Sequence, residues 1–322
     1  MQRPVRAPGL NARWMRRFVF SSSGDQTRAR SLGSDPSSTA LRAFLPRAMM
    51  GIAESLFTTF FPADCRICNN PLSSISRLPV CTKCLGTIHP ITGTLCSVCG
   101  ERILTPYLAG QDAGPQCGVC RQAGPKYERA VAFGSYEGAL RELIHLLKYD
   151  GVRPAAAILG QKLAPIIASL EPGFSDACVL VIPVPLHVSK RKQREFNQAE
   201  LIARAALKHL ANMRFELRTE ILGRRRETLS QIGLSSHQRR ENLRGAFTVT
   251  RPDTVKGREI LLVDDVLTTG TTASECARVL RRAGASKVWV GTVARTLKYE
   301  VQPVRSRFAD DATIPAKMAA AG

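Results

Sequence analysis

The chain has few aromatic residues, few acidic residues and no long hydrophobic run. Phenylalanine, tyrosine and tryptophan make up 6% of its 322 residues. That scarcity weakens any function that needs a row of aromatic side chains for base stacking. The apolar runs all fall short of the roughly 18 residues that a transmembrane helix needs, so no membrane span is expected. The run 18–20 is also too short for the apolar core of a secretion signal.

Acidic residues number 26 against 46 Lys and Arg, which gives a net charge of +20. This balance favours polyanionic partners, either the phosphates of a small substrate or a nucleic acid. A proteome that is rich in arginine explains the charge equally well. The hydrophobic fraction of 44% is ordinary for a globular protein, and the length suffices for one good-sized core and a smaller module.

Two terminal segments lack a sustained apolar period and are predicted to be disordered, 1–50 and 299–322. The first is rich in Arg and Ser and poor in acid, which is typical of an organelle transit peptide. We prefer an upstream extension of a bacterial chain that starts at Met49 or Met50, because an apolar segment begins directly after them. A cytoplasmic bacterial protein is therefore expected. Between the terminal segments we predict a cysteine-rich module at 51–124 and an α/β domain at 125–298.

Cysteine is abundant, and eight of the ten cysteines fall in four C-x-x-C pairs. The pairs are Cys65/Cys68, Cys81/Cys84, Cys96/Cys99 and Cys117/Cys120. Each C-x-x-C turn presents two thiolates to one metal ion, and two turns on a hairpin complete a tetrahedral site. The spacing predicts two zinc ribbons with the pairs taken in order, and an interleaved order stays open.

All-cysteine coordination leaves no open ligand position, so two structural zinc ions are expected rather than catalytic ones. Iron–sulfur clusters are the alternative for such thiolates. The module has few apolar residues between its cysteines, and we expect it to need metal to fold. His89 is predicted to be a surface residue, and Cys178 and Cys276 are predicted to be small buried hydrophobic residues.

Strands and helices alternate from residue 126 onward. This order predicts right-handed βαβ units and a parallel sheet flanked by helices. Strands are predicted near 130–133, 178–182, 260–263 and 287–293. Helices are predicted near 140–148, 158–167, 201–210 and 273–283. Pro165 should kink the second helix or end it early. Lys148 is predicted to be a cation at the C-terminus of the first helix.

The segment 260–275 contains most of the candidate ligand-binding residues. Its four apolar residues predict a strand that is buried on both faces. Asp264 and Asp265 follow, then a hydroxyl-rich loop and a helix that Gly284 should stop. The free N–H groups and positive end of that helix attract phosphate, and the loop hydroxyls add donors. The loop residues are Thr268, Thr269, Gly270, Thr271 and Thr272. The two carboxylates can accept hydrogen bonds from ribose hydroxyls and suit a hydrated divalent cation.

The alternative interpretation of this segment, which involves no binding site, is an ordinary βα turn with a solvated Asp pair. The order of residues nevertheless resembles the phosphoribosyl pyrophosphate (PRPP) signature of type I phosphoribosyltransferases. Over about 52–295, the chain resembles the ComF family, in which a double zinc ribbon precedes a phosphoribosyltransferase-type domain. Besides the cysteines and 264–272, the residues that carry this resemblance are Phe61-Pro62, Leu147-Lys148-Tyr149, Pro183-Val184-Pro185, Phe196-Asn197-Gln198, Gln231, Asn242 and Ala246-Phe247. Glu195 departs from the family, which has Gly there, and a glutamate restricts the backbone φ angle.

The resemblance implies a Mg-dependent phosphoribosyltransferase that binds PRPP and is linked to DNA uptake during competence. Asp264 and Asp265 would then be the catalytic carboxylates that hold the ribose hydroxyls, and 268–272 would hold the 5-phosphate. The basic run with Lys190, Arg191 and Arg194 follows a predicted strand end and would contact pyrophosphate, although such runs are as often a solvated face. Mobile basic loops at 188–198 or 224–247 would exclude water.

No residue of the sequence stands out as a general base for an acceptor. The alternative function is therefore a non-catalytic module that senses PRPP or a nucleotide, or that holds single-stranded DNA with its zinc ribbons and basic surface. The sequence identifies neither the acceptor nor the oligomeric state.

Overall fold

The computed structural model describes residues 63–72, 76–103, 114–122, 124–175, 178–210, 214–226 and 236–298. The chain separates into two compact units, Met1–Gly51 and Ile52–Gly322, and every described residue belongs to the second unit. The predictions for the N-terminal extension, the apolar segment after Met50, Gln231 and the C-terminal tail lie outside the described residues.

The described elements alternate between strands and helices after a cysteine-rich start. The helices are α1 (Thr82–Gly86), α2 (Gly118–Gln122), α3 (Gly138–Lys148), α4 (Ala155–Ala168), α5 (Val188–Arg194), α6 (Gln198–Leu207), α7 (Ser236–Leu243), α8 (Pro252–Val255) and α9 (Thr271–Arg282). The strands are β1 (Arg129–Ser135), β2 (Val179–Pro183), β3 (Phe215–Leu217), β4 (Leu222–Arg224), β5 (Phe247–Val249), β6 (Glu259–Leu267) and β7 (Lys287–Arg295). In the parts of the chain that the structure describes, no helix has the length and apolarity to cross a bilayer.

Five strands form one sheet in the order β1-β7-β6-β2-β3, and every neighbouring pair is parallel. Central β6 is buried on both faces. Leu261 and Val263 belong to a core that α3, α4 and α6 cover, whereas Ile260 and Leu262 belong to a second core with α9. Strands β4 and β5 form a separate antiparallel pair. The predicted parallel sheet flanked by helices is confirmed.

Strand β6 is longer than the apolar run predicted. It continues through Asp264 and Asp265 because its ladder with β7 extends to the pair Leu267 and Arg295. The acidic pair therefore lies within the strand rather than after it. The neighbouring strand holds these two carboxylates in a fixed backbone, which suits a binding site better than a loop does.

Helix α4 does not end early at Pro165, so the early end, one of the two predicted outcomes, is wrong. The helix runs three residues further, to Ala168. Pro165 falls in the last turn, where the lost N–H removes only one intrahelical bond. Leu163 and Ile167 on either side are fully buried, and their packing offsets that loss.

The cysteine-rich segment packs directly on the α/β domain. Cys65, Leu78 and Ile88 share one continuous hydrophobic core with Leu143 of α3. In the second half of the segment, the carbonyl of Val98 accepts a 2.7 Å hydrogen bond from the backbone N–H of Ala130 in β1. The cysteine-rich segment is therefore packed against the α/β domain and shares its hydrophobic core.

A buried ion pair fixes the second ribbon to the end of β7. The Arg295 guanidinium donates to Glu101 Oε2 at 2.9 Å, and the two side chains are only 5% and 6% exposed. The other oxygen of Glu101 accepts the backbone N–H of Lys298 at 3.1 Å. The Arg295 guanidinium also lies 3.7 Å from the sulfur of Cys99. Charge pairing therefore joins a cysteine cluster to the carboxyl edge of the sheet.

Glu101→Gln should lower the free energy of unfolding by about 3 kcal/mol, because it leaves the Arg295 charge buried without its counter-charge. Urea unfolding of the metal-loaded protein measures this change. The matched control is Glu241→Gln, which removes an exposed partner of Arg244 at 3.9 Å and should cost less than about 0.5 kcal/mol. Equal effects of the two substitutions would contradict the assigned role of Glu101.

Candidate functional site

The structure brings the eight C-x-x-C cysteines together as two groups of four. Cys65, Cys68, Cys81 and Cys84 form one group, and Cys96, Cys99, Cys117 and Cys120 form the other, with all ligand atoms in a group within 4.8 Å of one another. The grouping is the sequential one rather than the interleaved one. Antiparallel bridges at Asp64–Pro71 and Leu95–Arg102 close the hairpin of each first knuckle.

Sulfur spacing in both groups matches a tetrahedral zinc centre. The Sγ atoms of Cys65 and Cys84 are 3.9 Å apart, and those of Cys68 and Cys81 are 3.7 Å apart. A tetrahedron with Zn–S bonds of about 2.3 Å has edges of about 3.8 Å. Backbone N–H groups also donate to the thiols, for example from Cys81 to the sulfur of Cys65 at 3.3 Å. The residues therefore fit zinc without rearrangement.

The thiols of a group cannot all ionise together without a cation. Burial and the side chains of Cys81 and Cys68 raise the pKa of Cys84 to about 12. In the second group, the neighbouring thiols Cys96 and Cys99 and then burial raise the pKa of Cys120 far above its ordinary value. A bound dication removes this conflict, because it is attracted to all four thiolates.

His89 is exposed and belongs to neither group, as predicted. Cys276 is fully buried on α9, which confirms its expected packing role, whereas Cys178 is only partly buried.

The segment Thr268 to Thr272, called the phosphate loop after its predicted role, turns at Gly270, and its last two residues begin α9 instead of belonging to the loop. Gly270 adopts φ = +75° and precedes the first residue of α9. A Cβ atom at this position would stand 3.0 Å from the hydroxyl of buried Tyr127, so both the backbone and the space require glycine. The hydroxyls of Thr269 and Thr271 lie 2.8 Å apart across the turn. The loop therefore offers hydroxyls beside the N-terminus of a helix of 12 residues.

The sheet topology places this loop at the point where the strand order reverses. From β6 the chain moves to β7 on one side, whereas β2 and β3 lie on the other. In open α/β sheets, ligands bind at the carboxyl ends of the strands beside such a switch point. The loop after β6 and the turn after β2 meet there.

Asp264 and Asp265 lie at this edge and have different surroundings. Asp265 is 4% exposed, and its Oδ1 atom accepts from Lys148 Nζ at 2.9 Å. Asp264 is partly exposed, and its Oδ1 atom accepts the backbone N–H of Asp265 at 2.9 Å. Burial opposes the charge of Lys148, but the two carboxylates outweigh it and raise the pKa of Lys148. Asp265 is therefore a fixed, paired carboxylate.

Asp264 is the titratable member of the pair. Desolvation and the charge of Asp265 raise the pKa of Asp264 to about 7, against the weaker opposing effect of Lys148. Two adjacent carboxylates with one ammonium between them do not both ionise easily. Asp264 consequently changes charge within the physiological pH range.

The predicted basic run forms helix α5, directly after the turn that ends β2. Lys190 and Arg191 are exposed on it. Arg194 donates to Gln198 at 3.1 Å, and its guanidinium lies 5.2 Å from the ring centroid of Tyr149. The run is therefore a short helix and not an irregular loop.

Asn197 ties this region together. Its side-chain oxygen accepts from the backbone of Ala199 at the start of α6, and its side-chain nitrogen donates to the carbonyl of Val184 at 3.0 Å. Asn197 therefore caps α6 and also bonds to the turn after β2.

Glu195 ends α5 in the left-handed conformation, with φ = 64°. This is the position at which the family pattern has Gly. Its carboxylate lies 3.5 Å from Arg153, but both side chains are more than half exposed, so the ion pair contributes little. The departure from the family pattern therefore stores backbone strain beside the site.

A cleft of about 770 Å³ opens between the second cysteine group and the phosphate loop. Cys99, Cys117 and Cys120 line one wall, and Thr268 to Thr271 line another. Its basic lining residues are Lys126, Arg239, Arg244, Arg278, Arg295 and Lys298. The acidic lining residues Glu101, Glu241 and Glu275 each pair with one of those arginines. The cleft has the size of a nucleotide site and a surplus of positive charge.

Sequence reasoning missed two of the contacts that shape the site. Lys148 was assigned to the end of its helix, although its inclusion in the family motif 147–149 was a signal of a further role. The pair Glu101 and Arg295 had no signal, because its members are separated by 194 residues.

Comparison with known proteins supports both modules. The family model of a phosphoribosyl transferase domain matches 198–309, and that of a double zinc ribbon domain matches 56–122. The DNA utilization protein YhgH of Escherichia coli is 33% identical over 239 residues, which are 73% of this chain and 98% of that protein. Competence protein F of Haemophilus influenzae is 30% identical over 226 residues, which are 67% of this chain and 96% of that protein. Amidophosphoribosyltransferase of Saccharomyces cerevisiae is 25% identical over 187 residues, which are 56% of this chain and 33% of that protein.

The fold and these matches define a phosphoribosyltransferase-type protein with an N-terminal double zinc ribbon. The chain belongs to the ComF family, which confirms the resemblance seen in the sequence.

Glu195→Gly should raise the free energy of unfolding by about 1 kcal/mol, because glycine adopts positive φ without steric penalty. Chemical denaturation measures the change. Glu195→Ala is the control, since it removes the carboxylate but keeps the Cβ atom, and it should stay within about 0.5 kcal/mol of the parent. A stabilisation of similar size in both variants would assign the effect to charge instead of backbone strain.

Asp264→Asn should stabilise the ligand-free protein in a pH-dependent way. In the folded protein the pKa of Asp264 is about 7, above its unfolded value of about 3.9. The folded state therefore holds the proton more tightly, and the parent loses stability as pH rises from about 4 through 7. The Asn variant has no such loss. Its advantage should be small at pH 5 and reach about 1–2 kcal/mol at pH 8, below the full linkage value because Asp264 is partly exposed.

Urea unfolding at the two pH values, with zinc present, measures this advantage. An advantage of the same size at pH 5 and pH 8 would show that ionisation of Asp264 is not its cause.

Proposed function

We propose that this protein binds PRPP, or another ribose 5-phosphate ester, at the carboxyl ends of β6 and β2. The observation that carries the proposal is the placement of the acidic pair and the phosphate loop on one strand end, directly before the N-terminus of α9. A ribose phosphate needs hydrogen-bond acceptors for its hydroxyls and donors for its phosphate at about this separation along the chain.

Each part of the ligand has a candidate partner. The loop Thr268 to Thr272 donates to the 5-phosphate, and Asp264 and Asp265 accept from the ribose hydroxyls. The turn after β2 and the basic residues Lys190, Arg191 and Arg194 face the pyrophosphate. This arrangement is supported by the order of β2 and β6 as neighbours in the sheet.

We further propose phosphoribosyl transfer as the reaction. The bond from the anomeric carbon to pyrophosphate breaks, and the electron pair leaves with the pyrophosphate. An acceptor then forms a new bond to that carbon. Positive charge develops on the ribose ring, close to the carboxylates, and negative charge grows on the leaving group, where basic side chains stabilise it. Fixed positioning of the ribose phosphate contributes a further part of the rate.

The proposed structural cofactors are two zinc ions, one in each four-cysteine group. Their sulfur spacing and the match to a double zinc ribbon domain support this assignment. Mg²⁺ would act as a counter-ion for pyrophosphate, which has oxygen ligands of the kind that Mg²⁺ prefers.

The relatives named for DNA utilization and competence support a role linked to the uptake or use of DNA. The competing proposal is a non-catalytic module that senses PRPP or a nucleotide, or that holds single-stranded DNA. The basic cleft between the second ribbon and the phosphate loop supports it, because phosphate groups of a larger ligand would meet positive charge there.

Asp264→Asn combined with Asp265→Asn should abolish PRPP binding and leave the zinc content at about two ions per chain. The acceptors for the ribose hydroxyls lose their charge, whereas the cysteine groups are untouched. Isothermal titration calorimetry and elemental analysis measure the two quantities. Asp253→Asn, an exposed carboxylate on α8, is the control and should bind as the parent does. Unchanged PRPP binding in the double variant would refute the site.

Pyrophosphate release from PRPP across a panel of acceptor bases separates the two functions. Turnover with any base supports the transferase. PRPP binding without turnover for any base supports the sensor.

A further inference from the structure

We propose that Lys148 is the permanent cation of the acidic pair, so that ribose phosphate is bound there without a divalent metal ion. The inference rests on the proposed function and specifies it further. It assigns Lys148 as a positioning residue and restricts Mg²⁺ to the pyrophosphate end of the ligand.

Lys148 belongs to a helix that is distant in the chain from the phosphate loop. It is the last residue of α3, and its Nζ atom lies 2.9 Å from Oδ1 of Asp265. The two side chains are 15% and 6% exposed, so the contact is sheltered from water. A helix C-terminus also stabilises a cation by its own dipole. The ammonium is therefore held in place before any ligand arrives.

The oxygens of the acidic pair leave little room for a hydrated metal ion. Oδ1 of Asp264 accepts a backbone N–H, and Oδ1 of Asp265 accepts the ammonium of Lys148. Oδ2 of Asp265 is buried and has no hydrogen-bond partner among the described residues. Mg²⁺ needs a near-octahedral shell of oxygens and gives up its water reluctantly. A buried oxygen next to a fixed ammonium does not meet that need, so Asp265 does not fit Mg²⁺ as a ligand.

The same arrangement suits sugar hydroxyls. A sugar hydroxyl can donate one hydrogen bond. Oδ2 of Asp265 can accept a hydrogen bond and has no donor among the described residues. A buried carboxylate oxygen with no donor is costly, and a ligand hydroxyl removes that cost. The 2.9 Å contact with Lys148 fixes the orientation of the Asp265 side chain, so Oδ2 keeps its position.

A metal-binding experiment tests the proposal without any sugar ligand. The zinc-loaded full chain is titrated with Mn²⁺, which stands in for Mg²⁺, and free Mn²⁺ is followed by electron paramagnetic resonance. The parent is expected to show no Mn²⁺ site that Asp265→Asn removes. Lys148→Met, which keeps the apolar stem and removes the charge, should gain one site that the added Asp265→Asn removes. A parent site that is lost in Asp265→Asn would overturn the proposal.

A binding experiment with ribose 5-phosphate, which carries no pyrophosphate, tests the consequence for the ligand. The parent should bind it with the same Kd, within about twofold, in Mg²⁺ and in a buffer that contains neither Mg²⁺ nor a chelator, so that the zinc ions stay bound. Lys148→Met should bind at least about tenfold more weakly in the buffer without Mg²⁺ and recover in Mg²⁺, because an ion can then replace the ammonium. Lys148→Arg should keep the metal independence of the parent. A purely structural role of Lys148 predicts neither the rescue by Mg²⁺ nor the rescue by arginine.

The two experiments separate the proposals. If ribose 5-phosphate does not bind the parent in either buffer, the proposed function fails while the Mn²⁺ titration still decides the role of Lys148. If it binds only with Mg²⁺, the proposed function stands and the assignment of Lys148 is overturned. Should Lys148→Met not fold, the parent titrations with and without Asp265→Asn remain decisive.

Discussion

The buried ion pair between Glu101 and Arg295 holds the zinc-ribbon module against the edge of the sheet where the candidate site lies. Arg295 ends β7 at the carboxyl edge of the sheet, where the phosphate loop also begins, and Glu101 lies two residues after Cys99 of the second cysteine group. A charge that is this deeply buried tolerates little displacement from its partner. The second ribbon is consequently fixed against the edge that carries the site, and its cysteines become one wall of the basic cleft.

Charge at the carboxyl edge is balanced locally, although the whole chain carries a net charge of +20. Lys148 neutralises Asp265, and Arg278 pairs with Glu275 at 2.7 Å on α9. The carboxylate of Glu275 also accepts the backbone N–H of Gly245, which ties the segment after α7 to α9. Positive charge in excess of these pairs faces the cleft. The net positive charge of the chain is therefore least compensated in the cleft beside the phosphate loop, where basic side chains outnumber acidic ones.

The sequence predicted the parts of the structure that local rules determine. A short continuous apolar run favours a doubly buried strand, the spacing of C-x-x-C turns brings four thiols together, and Gly284 ends α9 at φ = +100°. Contacts between distant elements were not predictable. The residues near Lys148 in the chain give no indication of a contact with Asp265. That contact arises because the order of the strands in the sheet brings the end of α3 close to β6. Pro165 was misjudged because burial of its neighbours, a tertiary effect, outweighed its local propensity.

Glu195 shows how a departure from a family pattern can be absorbed. Here the turn is left-handed at the position where the family pattern has Gly, although the Glu195 side chain disfavours that conformation. The turn persists because its neighbours hold it from both sides. The backbone N–H of Glu195 closes α5 on the carbonyl of Arg191 at 2.8 Å, and Asn197 bonds both to the start of α6 and to the turn after β2. A conformation that so many contacts determine tolerates about 1 kcal/mol of strain. Its geometry is therefore set by the end of β2 and by the two helices α5 and α6.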